Sequence, residues 1–223
     1  MDFIFMLTRQ DRTVEDCLLV FEAIRPVGLS HVGFKDVGVD YPTLERLHRA
    51  IKESGATSYM EVVSTTPEAV LNSARVARRL GVDRLMGGTD VAGVMDILHG
   101  SQIAYFPFPG RPEGHPTKLG GGAGEVERHC RRFLKQGCAG VDLLAYRATE
   151  ADPIDLICAA RRGLGRGGLL IVAGSIDSPG RMRAAAEAGA DAFTIGSAAF
   201  DGSFSPRKGL LANQLRDILE ACR

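Results

Sequence analysis

The chain has 223 residues, and its 27 Lys and Arg residues are balanced by 27 Asp and Glu residues, so the formal net charge at pH 7 is zero. This balance argues against partners that are recognised through a strongly basic or acidic surface, and it predicts neither a nucleic-acid nor a membrane partner. A chain of this length can bury one large core, and residues 1–223 are interpreted as a single domain.

The cysteines and the N-terminal residues predict a cytoplasmic location. The five cysteines contain no C-x-x-C pair, which is typical of reduced thiols in a cytosolic protein. No apolar run approaches the roughly 20 residues that span a bilayer. The first predicted strand begins at Asp2, which leaves no room for a signal peptide.

The most informative pattern is an internal repeat in which a glycine ends a helix and a short apolar strand follows it. The copies are GLSHVGFKD, GATSYMEVV, GVDRLMGGT, GVDLLAYRA and GADAFTIGS, which start at Gly28, Gly55, Gly81, Gly140 and Gly189. Strands that are apolar throughout are typical of a parallel sheet covered on both faces.

With the flanking stretches, the repeats give eight strand-then-helix units. Strands are predicted at 2–8, 30–35, 58–63, 83–87, 102–108 and 140–145, with two more inside 169–200. Helices are predicted to begin near Thr13, Pro42, Thr66, Val91, Glu125, Pro153 and Lys208, with another between the last two strands. Eight even alternations predict an α/β protein with a closed parallel sheet, the (β/α)8 or TIM barrel.

The connection after the fifth strand, residues 109–124, is much longer than the others. Its sequence, PGRPEGHPTKLGGGAG, follows a strand end that faces the active site in such barrels. We interpret it as a lid that brings His115 and Lys118 over an anionic substrate, although a solvated loop would have the same composition.

Lys35 and Glu61 are the strongest candidates for catalysis, because Lys35 ends a predicted strand and Glu61 lies near the end of the next one. Alternation along the second strand turns Lys35 inward, where it could clamp a phosphate, polarise a carbonyl or form a Schiff base; it could also simply pair with Asp36 or Glu61. Glu61 is a candidate proton shuttle if Met60 and Val62 face the helices. The ungapped repeat alignment turns Glu61 outward instead, and both orientations stay open.

Other polar residues at the same end are Arg9, Thr89 and Arg147, which are candidates for further substrate contacts, although Arg147 could equally pair at the surface. Asp11 and Asp90 are predicted to cap or precede helices. Asp83, Asp142 and Asp191 share the second position after the repeat glycine, which predicts structural roles at the opposite end of the barrel. No residue spacing indicates a metal site, and no cofactor is predicted.

Gly-Ser pairs follow the last two predicted strands, at Gly174–Ser175 and Gly196–Ser197. Neighbouring parallel strands bring these turns together, and their backbone N–H groups could bind a phosphate. We call these four residues the phosphate cup.

The segments VAGSI and GADAFTIGSAAF, which contain the cup, resemble the ribulose-phosphate-binding barrel superfamily. That group includes N-acylglucosamine-6-phosphate 2-epimerase, indole-3-glycerol phosphate synthase and orotidine-5'-phosphate decarboxylase. The segments YMEVVSTTPEAV and GVDRLMGGT are similar to the corresponding part of the epimerase and of the indole-3-glycerol phosphate synthase. The resemblance implies a barrel whose cup binds a substrate phosphate, matches Glu61 to a strand-borne glutamate of the synthase, and suggests a homodimer.

The sequence therefore predicts an enzyme that moves a proton next to the carbonyl of a small phosphorylated sugar or keto compound, as an isomerase or epimerase. Lys35 would polarise the carbonyl oxygen and Glu61 would move the proton. Two alternatives stay open: an aldolase or lyase in which Lys35 forms a Schiff base, and a non-catalytic barrel that binds a phosphorylated metabolite.

Overall fold

The structure is a computed structural model that describes residues 1–64 and 66–223. Its strands, in chain order, are β1 (Asp2–Met6), β2 (Thr8–Arg9), β3 (Arg12–Thr13), β4 (His31–Lys35), β5 (Thr57–Glu61), β6 (Arg84–Met86), β7 (Ala104–Phe106), β8 (Arg111–Glu113), β9 (Lys118–Gly120), β10 (Gly140–Leu143), β11 (Leu169–Val172) and β12 (Ala192–Ile195). Its α-helices are α1 (Cys17–Ile24), α2 (Tyr41–Glu53), α3 (Pro67–Leu80), α4 (Val91–Leu98), α5 (Ala123–Lys135), α6 (Pro153–Leu164), α7 (Pro179–Glu187), α8 (Ser197–Phe200) and α9 (Leu211–Ala221).

The predicted barrel is confirmed. Eight parallel strands form one sheet in the order β10-β11-β12-β1-β4-β5-β6-β7. The two outer strands also meet, because the backbone N–H groups of Ala139 and Asp142 donate to the carbonyls of Tyr105 and Pro107. Pairing all round leaves the sheet nearly closed, as a (β/α)8 fold requires.

Two apolar layers hold the barrel. A small cluster fills the inside of the sheet, and it consists of Ile4, Met6, Tyr59, Met86, Phe106, Ile171 and Ala192. Alternate strand residues, such as Phe34, Met60 and Phe193, pack outward under the helices. Because both faces of the strands are covered, the strands need the continuous apolar runs that the sequence contains.

Four helices begin with a side-chain cap, and one helix begins later than the sequence predicts. The side chains of Asp40, Asp90, Asp152 and Ser178 accept backbone N–H bonds at the starts of their helices. The helix predicted to begin near Thr13 starts only at Cys17. Thr13 instead exchanges hydrogen bonds with the backbone of Lys35, at 2.7 and 2.8 Å, so this threonine ties β3 to the end of β4.

The loop at 109–124 contains an antiparallel hairpin of β8 and β9. Arg111 anchors it through ion pairs with Glu125 and Glu150 at 2.6 and 2.8 Å. The N–H of Gly121 also donates to Glu150, at 3.1 Å. This long connection is therefore folded on the barrel rim and tied to it at its base.

Two of the three acids that are predicted at strand starts bind neighbouring elements. Asp83 accepts hydrogen bonds from Ser58 and pairs with Lys52 at 2.7 Å. Asp191 accepts from the backbone N–H of Leu170 and pairs with Arg161. Both acids join neighbouring elements, consistent with a structural role.

The prediction that Asp142 lies at the opposite end of the barrel from the active site is wrong. Its side chain is fully buried, and its partner across the sheet, Ile171, belongs to the interior cluster. The cause is register: α5 is followed by Gly137, whose φ is 89°, so this residue occupies the place of the repeat glycine, while Gly140 is already in the strand. Asp142 is the fifth residue after Gly137. The interior residues Met86 and Thr194 are likewise the fifth residues after their repeat glycines.

Among the described residues, none of the helices combines the length and the apolar character that a membrane crossing needs.

The contact between Gly140 and β11 offers a test of this register. A Cβ at Gly140 would overlap the carbonyl of Leu169, whereas a Cβ at Gly180, in α7, has no atom within 4 Å. Gly140→Ala is expected to lower the free energy of unfolding by about 1–3 kcal/mol, since strand backbones would have to separate. Gly180→Ala should cause no loss. Urea unfolding of both variants checks this, and equal stabilities would contradict the register.

Candidate active site

A cavity of about 380 Å³ opens at the carboxyl ends of the barrel strands. Lys35 and Glu61, which end β4 and β5, line it together with Asp11 and Arg147. The four residues of the phosphate cup also line it. The cavity therefore combines charged side chains with turns built from glycine and serine.

The charged residues that line the cavity include a connected set of four side chains. The Nζ atom of Lys35 lies 2.9 Å from Asp11 Oδ1 and 3.3 Å from Glu61 Oε1. Arg147 donates from both terminal nitrogens to the two oxygens of Asp11, at 2.8 and 3.0 Å. We call Lys35, Asp11, Glu61 and Arg147 the charged cluster. The question of the Glu61 orientation is settled, because its carboxylate faces inward beside Lys35.

A tight hairpin between β2 and β3 brings Asp11 into the cluster. Gln10 and Asp11 form its turn, with φ values of 48° and 58°, a region that residues other than glycine seldom adopt. Such turns occur where the surrounding structure compensates for the strain. Here the ion pairs with Lys35 and Arg147 hold the Asp11 carboxylate, only 8% of whose residue surface is exposed.

Electrostatics keep Lys35 and Asp11 ionised. Burial alone would lower the pKa of Lys35, but the charges of Glu61 and Asp11 outweigh it and raise that pKa. Burial alone would raise the pKa of Asp11, but hydrogen bonds from Arg147 and the charge of Lys35 hold it well below its usual range. Lys35 is therefore an ammonium ion in the ligand-free protein, and Asp11 is a carboxylate.

The phosphate cup consists of sharp turns in close contact with the rest of the site. Gly174 and Ser175 have φ values of 74° and 59°, so two successive residues adopt the left-handed conformation. A Cβ at Gly196 would lie 2.7 Å from Thr8 Oγ1. A Cβ at Gly174 would strike the side chain of Arg147. The turn at Gly174 thus packs directly against Arg147 of the charged cluster.

The other predicted contacts lie farther out. Arg9 is an exposed rim residue that pairs with Asp201 at 2.5 Å, and Thr89 is exposed just before α4. His115 and Lys118 are exposed in and beside the turn of the β8–β9 hairpin, and neither lines the cavity. Their role over a bound substrate stays a prediction. The hairpin reaches the site through Thr117, whose carbonyl accepts from Arg147 at 3.3 Å.

Two acids of the barrel interior differ from what the sequence predicts. Asp11 precedes α1, where the sequence predicts a helix cap, yet it is the carboxylate that Lys35 and Arg147 share. The sequence also predicts the wrong end of the barrel for Asp142. The positive φ of Gln10 and Asp11 leaves no clear mark in the sequence, whereas the glycine at 137 does give the register that turns Asp142 inward.

Asp142 is the most unusual acid of the barrel. Burial raises its pKa well above the usual range, and the charge of Glu61 raises it further, while Lys35 and Arg147 act in the opposite direction.

Among the described residues, no group of three or more His, Cys, Asp or Glu side chains has a geometry that could hold a metal ion.

No family model and no curated protein matches the chain. Solved structures do match it. Orotidine 5'-phosphate decarboxylase from Pyrococcus horikoshii OT3 is 14% identical, with a TM-score of 0.66 over 98% of this chain and 99% of that chain. A mandelate oxidase variant with an FMN adduct is 15% identical, with a TM-score of 0.65 over 98% of this chain and 70% of that one.

A third match is a designed porous protein cage made by fusing symmetric oligomeric domains. It is 15% identical, with a TM-score of 0.67 over 99% of this chain and 72% of that chain. At these identities the likeness extends to the fold, and the chain is a TIM barrel of the same architecture as these proteins.

Proposed function

We propose that this protein is an enzyme that moves a proton next to the carbonyl group of a small phosphorylated sugar or keto compound, as an isomerase or epimerase. The observation that carries the proposal is the buried Lys35 ammonium, which lines the cavity with the Glu61 carboxylate 3.3 Å away. A fixed cation beside a carboxylate suits a reaction in which negative charge develops on oxygen as a proton leaves carbon.

Lys35 is the group that polarises the substrate carbonyl oxygen. Its charge is available because the Asp11 and Glu61 carboxylates raise its pKa. Glu61 takes the proton from the neighbouring carbon, and the developing enolate is stabilised by the ammonium. Arg147 keeps Asp11 in place, so that Lys35 is held in one position before the substrate arrives.

The phosphate cup binds the other end of the substrate. Its backbone N–H groups supply donors without adding charge, and a cavity of about 380 Å³ suits a small metabolite. Binding energy from a phosphate that does not react can position the reacting carbon between Lys35 and Glu61. The resemblance to ribulose-phosphate-binding barrels supports the same assignment.

A Schiff-base lyase is the alternative, because Lys35 is a buried amine that lines the cavity. The raised pKa of Lys35 argues against it, since an ammonium ion is not a nucleophile. Borohydride reduction with a panel of ketose and aldose phosphates separates the two reactions. We expect no stable adduct on Lys35 by mass spectrometry, and an adduct would overturn the isomerase assignment in favour of the lyase.

Exchange with solvent tests the proton transfer directly. In deuterated water, the enzyme is expected to place deuterium on the carbon next to the carbonyl of its substrate, which NMR detects in that panel. Glu61→Gln should slow the exchange by about 10²–10⁴-fold, the usual contribution of a general base. Glu113→Gln, an exposed change in β8, is the matched control. Equal exchange in the two variants would exclude Glu61 as the base.

Thermal unfolding tests the phosphate cup. A ligand at 100 times its Kd should stabilise the fold by about 2.7 kcal/mol, so phosphorylated carbonyl compounds should raise the Tm where their unphosphorylated forms do not. Ser197→Asp adds a negative charge at an exposed cup position and should abolish the shift. Ser178→Asp adds the same charge at a helix cap outside the cavity and should preserve it. A shift that survives Ser197→Asp would place the phosphate elsewhere.

A further inference from the structure

Two threonine side chains line the cavity and belong neither to the charged cluster nor to the phosphate cup. Thr8 and Thr194 are only 6% and 5% exposed, and both are part of the cavity wall. Among the residues that the structure describes, neither of their hydroxyl groups makes a hydrogen bond. Thr13, a buried threonine outside the cavity, does bond through its hydroxyl group.

Strand alternation turns both side chains inward. Ile4 and Met6 of β1 belong to the cluster inside the sheet, and Thr8 continues this series two residues later. In β12, Phe193 packs in the outer core, so the next residue, Thr194, faces the barrel axis. Valine has nearly the same shape and would fill these positions without burying a hydroxyl group. An unpaired hydroxyl group here is therefore suited to a ligand that supplies its hydrogen-bond partner.

Thr8 lies between the phosphate cup and Lys35. In the sheet, β1 runs between β12, which leads into the cup, and β4, which ends at Lys35. Met6 pairs with Gly33, and two residues farther along the two segments are Thr8 and Lys35. On the other side, a Cβ at Gly196 would lie 2.7 Å from Thr8 Oγ1. A ligand with its phosphate in the cup and its carbonyl at Lys35 must therefore pass Thr8.

We propose that Thr8 and Thr194 bind hydroxyl groups on the carbons between the phosphate and the carbonyl of the substrate. This inference rests on the proposed function and deepens it, because it selects a hydroxylated sugar phosphate over a keto compound without hydroxyl groups. A threonine hydroxyl donates one hydrogen bond and accepts others, so it complements an alcohol. The two threonines are specificity-determining residues, and Lys35 stays available for the carbonyl oxygen.

Two stable phosphate esters test this inference on the full chain. Glycerol 3-phosphate and n-propyl phosphate have the same chain length and the same phosphate group, but only the first has hydroxyl groups. In a titration followed by phosphorus NMR, we expect glycerol 3-phosphate to bind at least about tenfold more tightly, because n-propyl phosphate leaves the threonine hydroxyls unpaired. Inorganic phosphate, titrated in the same way, measures the affinity of the cup alone.

Thr8→Val and Thr194→Val nearly keep the side-chain shape and remove one hydroxyl group each. We expect each variant to reduce the preference for glycerol 3-phosphate by about threefold or more, the usual effect of one hydrogen bond. Their affinities for n-propyl phosphate and inorganic phosphate should not fall. Thr57→Val, at the start of β5 and outside the cavity, is the matched control and should keep the full preference.

Equal affinities of the two esters for the wild-type protein would overturn the proposal, and this comparison needs no variant to fold. A preference that both valine variants retain in full would overturn it as well. Weaker binding of inorganic phosphate to these variants would assign the threonines to the phosphate instead. Neither ester has a carbonyl group, so the affinities are independent of deuterium exchange. A hydroxyl preference without such exchange would contradict the proposed isomerase and leave the role of the threonines standing.

Discussion

The buried ammonium of Lys35 is the constraint on which the site depends. A cation at the mouth of a closed barrel is costly to remove from water unless carboxylates surround it, and two of them do. Glu61 belongs to the neighbouring strand, so the sheet register alone brings it to Lys35. Asp11 does not, and the short β2–β3 hairpin with its strained turn is needed to bring it there.

Arg147 extends this arrangement across the cavity. Its guanidinium binds both oxygens of Asp11, donates to the Thr117 carbonyl and packs so closely against Gly174 that this position admits no side chain. The β2–β3 hairpin, the β8–β9 hairpin and the phosphate cup thus all meet at one residue. A planar group with several fixed donors can do this, whereas a lysine offers a single point charge.

The local pattern of the sequence predicts the barrel well, because each helix-ending glycine and the apolar strand after it lie close together in the sequence. The same pattern misplaces Asp142, since it takes Gly140 as the glycine that ends the preceding helix, whereas Gly137 has that role. It also left Glu61 ambiguous, because β5 begins two residues after Gly55 whereas β4 begins three after Gly28. In a strand, an error of one residue reverses every side chain. Asp11 depends on a hairpin whose strain is balanced by distant ion pairs, so neighbouring residues could not reveal it.

The pairing of charges determines how an anion can bind in this cavity. Lys35 and Arg147 already have carboxylate partners, and Arg181 at the cup pairs with Asp177 at 2.9 Å. An arriving phosphate would have to break one of these pairs or bind to backbone donors. Separating Arg147 from Asp11 would leave a buried carboxylate with fewer partners, which is the more costly choice. The backbone N–H groups of the cup therefore suit the anion better, because the ion pairs of the charged cluster then stay intact.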